Sequence, residues 1–167
     1  MTDSLAGFFV TALDGKVSSE IIAFIVSLLP VLELRGGLIA AKLMDIEFLR
    51  AFIICYIGNM IPIPFILLFI RKIFNLLKKN ERIAAFIDKL ESKSLSKADQ
   101  VKKYRLWGLF IFVAGPLPGT GAWTGALIAA LMDMRLKDAL PSITLGVITA
   151  GIVVTTLSLL VPSLLGF

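Results

Sequence analysis

The chain has 167 residues, 57 % of them apolar, with a strongly positive mean hydropathy and a net charge of +5, a composition in the range of integral membrane proteins. It has no histidine and one cysteine, Cys55, which excludes Ser-His catalysis, His-ligated or Cys-rich metal sites and an intramolecular disulfide. So short a membrane chain leaves no room for a separate soluble catalytic domain, so function is expected in the bundle or its loops, with no enzymatic activity, cofactor or metal.

Four apolar stretches follow one another along the chain. The first, Val17 to Met44, has no basic region before it, since Asp3 and Asp14 outweigh Lys16. No A-x-A cleavage site follows, so it does not read as a secretory signal. As one helix it would be about 42 Å long, which is long for a span, and PVLELRGG interrupts it near its middle. There sit Glu33 and Arg35, each costing about 2.5 to 3.5 kcal/mol at the centre of a span. One reading is a mutual ion pair that locks the loop. The other is that Arg35 offers a forked donor to an anionic group while Glu33 changes protonation as the site alternates between faces. Gly36 and Gly37 would then admit a ligand close to the backbone and present unpaired N–H groups at the start of a second helical arm. Glu20 is an alternative partner for Arg35.

The second stretch, Phe48 to Ile70, carries Asn59 ahead of Pro62 and Pro64 in IGNMIPIP, a polar group and two kinks that suit a cavity wall. From Arg71 to Arg105 the chain turns basic, with eleven Lys or Arg against four acids. Such a connection marks the cytoplasmic side. Its charges either fix topology only or form a surface for anionic lipid head groups, at roughly 1 kcal/mol per basic residue. Ile83, Phe86, Ile87 and Leu90 recur at i, i+3, i+4 and i+7, which predicts an amphipathic helix lying on the bilayer. Ser96 and Asp99 have capping-box spacing and are expected to start a new helix leading into Tyr104.

The third stretch, Leu106 to Met132, is interrupted by GPLPGTGAWTG, Gly115 to Gly125. Pro116 and Pro118 forbid a regular helix, and Gly119 and Gly121 allow tight turns. Thr120, Thr124 and the indole of Trp123 can donate hydrogen bonds to a ligand held between the two loops. Alternatively, the glycines serve close helix packing and Trp123 anchors or packs. The fourth stretch, Ala139 to Leu165, is long enough to span. Asp45 and Asp133 are expected to start the helices that follow them.

Set against itself, the chain repeats. GLIAAKLMD, Gly37 to Asp45, matches GALIAALMD, Gly125 to Asp133, without a gap, and at the same offset Pro30 meets Pro118 and Gly58 meets Gly146. Pro, Gly and Asp are harder to match by chance in a membrane chain than Leu, Ile or Ala, so a duplication is expected. Each unit reads as an apolar arm, a Pro/Gly-rich break, a short arm ending in Met-Asp and a long span. If both broken segments re-enter, the repeats insert in opposite orientations; if both cross, there are four ordinary spans. Flanking basic residues barely separate the two. Because non-helical backbone survives at membrane depth only inside protein or beside a wet cavity, facing re-entrant loops are the favoured arrangement.

The expected architecture is therefore an all-α integral membrane protein, one membrane domain over residues 1–167. Repeat one covers 17–70, the basic connection with its amphipathic helix 71–105, and repeat two 106–165. Each repeat is a re-entrant broken helix hairpin followed by a transmembrane helix, in inverted topology. Two spans and two hairpins barely enclose a dry core, so a homodimer is expected. Membrane lipids and a small-molecule or lipid substrate are the other expected partners, with no nucleic acid.

The segments ELRGG with GLIAAKLMD, and GPLPGTGAWTGALIAALMD, resemble the two signature regions of the small multidrug export protein family, over nearly the whole chain. That family in turn resembles, distantly, the DedA (SNARE-associated/VTT) membrane proteins, whose members have paired re-entrant loops in inverted repeats and include polyprenyl-phosphate carriers and lipid scramblases. The resemblance implies export of a small amphiphilic or anionic substrate, with lipid-phosphate carriage coupled to a proton or ion gradient as its specific form, in a prokaryotic inner membrane. A non-transporting scaffold or lipid-binding protein is the alternative. Glu33 and Arg35 resemble the intramembrane acid and arginine of the DedA-like site, and Gly115 to Gly125 its partner loop. This chain departs from the DedA pattern at the second loop, where Trp123 stands and the nearest downstream basic residue is Arg135.

Overall fold

A computed structural model describes residues 2–13, 17–96, 98, 101, 104–115 and 119–165. Among these residues the chain forms helices α1 (Thr2–Leu13), α2 (Ser19–Leu28), α3 (Glu33–Leu43), α4 (Phe48–Met60), α5 (Pro62–Leu77), α6 (Glu81–Ser96), α7 (Leu106–Ala114), α8 (Ala122–Leu131) and α9 (Leu136–Leu165). The first and third apolar stretches are each two short helices around a break, α2 and α3 in one and α7 and α8 in the other. The sequence had suggested no helix for Thr2–Leu13; α1 forms there and packs on α3, with Ala6 buried beside Ile22, Val26, Leu32 and Ala40.

Among the described residues two segments are long and apolar enough to cross a membrane. One is Phe48–Leu77, of 30 residues, and the other is Leu136–Thr156 within α9. The first runs on past Ile70 to Leu77. Ile61 keeps helical angles and donates to the Ile57 carbonyl (3.1 Å), but Pro62 and Pro64 have no N–H to give, so α4 passes into α5 through a one-residue interruption. Outward-facing Phe65, Leu68 and Ile152 are at least half exposed, giving these spans the apolar surfaces that a bilayer covers.

Ion pairs mark the two ends of the bundle. Glu20 at the start of α2 meets Arg50 at the start of α4 (3.0 Å), so α2 begins at the end of the bundle where α3 finishes. This assigns Glu20 to Arg50 and removes it as the expected alternative partner of Arg35. At the other end Arg71 of α5 pairs with Asp133, just beyond α8. Late α9 residues Val154 and Thr155 share a cavity with Phe48 and Ala51, so α9 runs antiparallel to the α4–α5 rod.

Asp45 and Asp133 do not start helices, as had been expected; they end them. Both lie in the left-handed region (φ 54° and 56°), and the flanking bonds are matched. Ile46 donates to Ala41 O (3.0 Å) and Asp45 to Lys42 O (3.3 Å); Met134 donates to Ala129 O (2.9 Å) and Asp133 to Ala130 O (3.2 Å). This is a Schellman closure, in which an aspartate takes the position usually given to glycine. Glu47, not Asp45, precedes α4.

The basic connection contains α6, but its apolar stripe is divided. Ile87 is buried and Ile83 and Leu90 half-buried, while Phe86 is 65 % exposed. Lys78 clasps Asp88 (2.8 Å) and Glu91 (2.7 Å) of α6. Hydrogen bonds to Asp88 and Glu91 raise the Lys78 pKa above its ordinary 10.5. Ser96 sits in the last turn of α6, its hydroxyl donating to Lys93 O (2.9 Å), and so it closes a helix where it had been expected to open one. Asp99, its supposed capping partner, lies outside the described residues.

Helices approach closely where side chains are smallest. A Cβ on Gly58 would meet the Phe24 carbonyl at 2.7 Å, and one on Gly146 would meet Val113 Cβ at 2.7 Å. These contacts hold α2 against α4 and α7 against α9, so each short helix is carried by a spanning one.

Candidate functional site

The breaks in the two helical hairpins meet inside the bundle. After α2, Leu29 turns to extended backbone (φ −76°, ψ 136°), and Leu32 and Glu33 donate back to the Leu29 carbonyl (3.2 and 2.9 Å). Glu33 itself stands at φ 51°. A non-glycine residue held there costs about 1 to 3 kcal/mol and persists only where its surroundings dictate it.

Those surroundings are the start of α8. The Glu33 carboxylate, 8 % exposed as a residue, accepts the backbone N–H of Ala122 on Oε2 (3.0 Å) and of Trp123 on Oε1 (3.2 Å). Unpaired N–H groups and the helix dipole both favour an anion at this point. Gly121, just before them, adopts φ 137°, and any Cβ there would run into the Glu33 carboxylate. Glycine is therefore required twice, for its backbone angle and for the space taken by Glu33.

Arg35, half-buried, donates to the Gly115 carbonyl at the end of α7. Thr120 Oγ1 donates to the same carbonyl (2.7 Å). The described contacts of both Glu33 and Arg35 thus run to the opposite loop, one to a helix start and one to a helix end. One of the two sequence readings paired the charges with each other; neither named these loop partners, because backbone groups 80 to 90 residues away leave no mark in local sequence.

The remaining predicted residues divide. Gly36 and Gly37 are buried within α3; Gly36 N–H donates to Leu32 O (2.7 Å), and a Cβ there would press on Leu32 Cβ at 2.6 Å. It offers no unpaired N–H, contrary to expectation, because α3 already includes Glu33 in its first turn. Gly37 packs against Ser27 and Cys55. Gly119 takes φ 79° in the second loop, and Thr124 is half-buried one turn into α8. Trp123 contributes its backbone N–H to Glu33, while its indole Nε1 is buried without a hydrogen-bond partner among the described residues. Pro116 and Pro118 lie outside the described residues.

Asn59 is 1 % exposed and its Oδ1 has no hydrogen-bond partner among the described residues. With Glu33, Arg35, Gly121, Val147 and Ala150 it lines a cavity of about 10 Å³, at the threshold for one water molecule. Unpartnered buried polar atoms cost about 1 to 3 kcal/mol each, and Asn59 Oδ1 and Trp123 Nε1 are two such atoms among the described residues. The contribution of α9 to this wall, through Val147 and Ala150, was missed in the sequence; both are apolar residues inside an apolar run and carry no signal.

No curated protein and no solved structure matches the chain. A family model described as "Putative small multi-drug export protein" matches residues 33–153, a stretch that begins at Glu33 and takes in the second loop and most of both long apolar segments. By that match, which covers well over half of its length, the chain belongs to this small multi-drug export family and is a membrane protein.

Proposed function

We propose that the protein is a transporter of a prokaryotic inner membrane, carrying a small amphiphilic or anionic substrate between two opposed re-entrant hairpins, α2–α3 and α7–α8. In this reading the hairpins belong to an inverted repeat and enter from opposite faces. Glu33 and Arg35 grip the substrate, and protonation of Glu33 couples its movement to a proton gradient. Carriage of a lipid phosphate, in the manner of DedA-like proteins, is the specific form tested first.

The observation that carries this reading is the reciprocal contact at the tips. Glu33 holds the start of α8 and Arg35 the end of α7, so a ligand or proton that releases either side frees one hairpin from the other. Supporting the opposed insertion are the two end markers, Glu20–Arg50 and Arg71–Asp133, and the matched Schellman closures at the same sequence offset. One observation favours the alternative, a non-transporting scaffold: the cavity between the tips is small enough to be plain packing. A carrier with both entrances shut presents the same small cavity.

Binding of polyprenyl phosphate to purified wild type and Arg35→Gln, against neutral lipids and cationic drugs by native mass spectrometry, tests the substrate class. Selective phosphate-lipid binding lost in the variant is expected, and indifference to Arg35 returns the pair to a structural role. In proteoliposomes Glu33→Gln is expected to abolish flux while remaining folded. Aggregation of that variant would support the scaffold.

A further inference from the structure

A second cavity, of about 330 Å³, lies along the seam between α3 and α9, at the end of the bundle where α4 begins. Its volume falls within the roughly 300 to 1,000 Å³ of small-ligand pockets. The interior is apolar, with Leu38, Ile39, Ile46 and Phe48 on one side and Val154 on the other. Thr155 adds no free donor, since its hydroxyl is committed to the Gly151 carbonyl (2.8 Å).

Two features say what covers it. Phe48 in its lining and the adjoining Leu43 and Leu49 are exposed apolar side chains, so its neighbour in a membrane is hydrocarbon. At its rim stand Lys42 and Asp45, both exposed and neither ion-paired among the described residues. One uncommitted cation and one uncommitted anion, three residues apart at the end of a helix, complement a phosphate and an ammonium carried on the same head group.

We propose that this groove binds one acyl chain of a zwitterionic phospholipid from the surrounding bilayer, with its head group over Lys42 and Asp45. The site is separate from the Glu33–Arg35 tips. Between them the seam is closed where Gly151 meets Phe52 and Leu34, a Cβ there falling 2.5 Å from Phe52 Cε2 and 2.8 Å from Leu34 Cδ2. Lipid binding here needs neither transport nor Glu33, so each proposal can fail without the other.

The full chain in phosphatidylcholine proteoliposomes containing a trace of acyl-chain diazirine phosphatidylcholine is irradiated and its adducts mapped. Adducts are expected to concentrate on 38–46 and 154–155, at least fivefold above the exposed faces at Phe65, Leu68 and Ile152. Leu38→Trp, which fills the groove, is expected to remove that enrichment, whereas Ile152→Trp on the lipid-facing side leaves it. Replacing the probe by its phosphatidylglycerol analogue, or neutralising the rim as Lys42→Gln/Asp45→Asn, is expected to lower the enrichment severalfold. Uniform labelling of all exposed apolar faces in the wild type overturns the proposal even if the Leu38 variant fails to fold. Equal labelling by both lipids overturns the head-group assignment.

Discussion

Gly121→Ala is the sharpest single perturbation of the loop contact. The substitution meets two separate penalties. Holding an alanine near φ 137° costs about 1 to 3 kcal/mol. Its methyl also occupies the space of the Glu33 carboxylate, and pushing that group off the Ala122 and Trp123 N–H groups costs about 1.5 to 3 kcal/mol for hydrogen bonds to a charged group. The sum, about 2.5 to 6 kcal/mol, would be read by equilibrium unfolding in micelles titrated with a denaturing detergent. The discriminating step is a double-mutant cycle. In a Glu33→Ala background the new methyl has room and only the backbone penalty remains, so the cycle should return a coupling of about 1.5 to 3 kcal/mol. Additivity within about 0.5 kcal/mol would mean that the hairpin tips do not touch in the folded protein, and the site as described would be wrong.

Asn59→Leu removes a buried polar atom that lacks a partner and is expected to raise stability by about 1 kcal/mol while reducing flux; stability and flux that rise together would show that Asn59 takes no part in the site. Arg71→Ala breaks an ion pair whose side chains are 50 % and 72 % exposed, so unfolding should move by less than about 1 kcal/mol, and a larger loss would mark that contact as a structural lock. Because Asp88 and Glu91 raise the Lys78 pKa above 10.5, its clasp on α6 should be fully present below the ordinary lysine pKa and lost only as pH rises through the higher folded-state value. Labelling of Ile87→Cys, referenced to unfolded chain, should therefore stay low from neutral pH to about pH 10 and then climb, and an earlier rise would disprove the clasp. Cysteines at Ser18 and Glu47 should label from one membrane face and one at Asn80 from the other; labelling of the first two from opposite faces removes the re-entrant reading.

Much of the helical layout could be read from the chain because its signals are local. Pro30 falls in the gap after α2, Gly115, Gly119 and Gly121 fall in the gap after α7, and the period of Ile83, Phe86, Ile87 and Leu90 falls within α6. Helix α1 was overlooked because it is a short segment preceding the long apolar runs, and its burial depends on α3. The aspartates were misjudged because a residue that suits a helix start also tolerates the left-handed angle that ends one. Within the site, Glu33, Arg35 and Asn59 stood out because polar groups in apolar runs are costly, but their partners did not. A main-chain N–H or carbonyl looks the same in every residue, so only the fold reveals which ones Glu33 and Arg35 meet.

The carboxylate of Glu33 on the first N–H groups of α8 amounts to an anion the protein supplies to itself. Being covalently tethered, it acts at a high effective concentration, and a free anion arriving there must outcompete it before gaining any contact of its own. If the protein carries an anion past this point, as proposed, the threshold rejects weakly binding anions without a steric filter and falls when Glu33 takes up a proton. Occupancy by proton and by anion would then favour each other, so that under the proposed function the two would enter and leave as a pair.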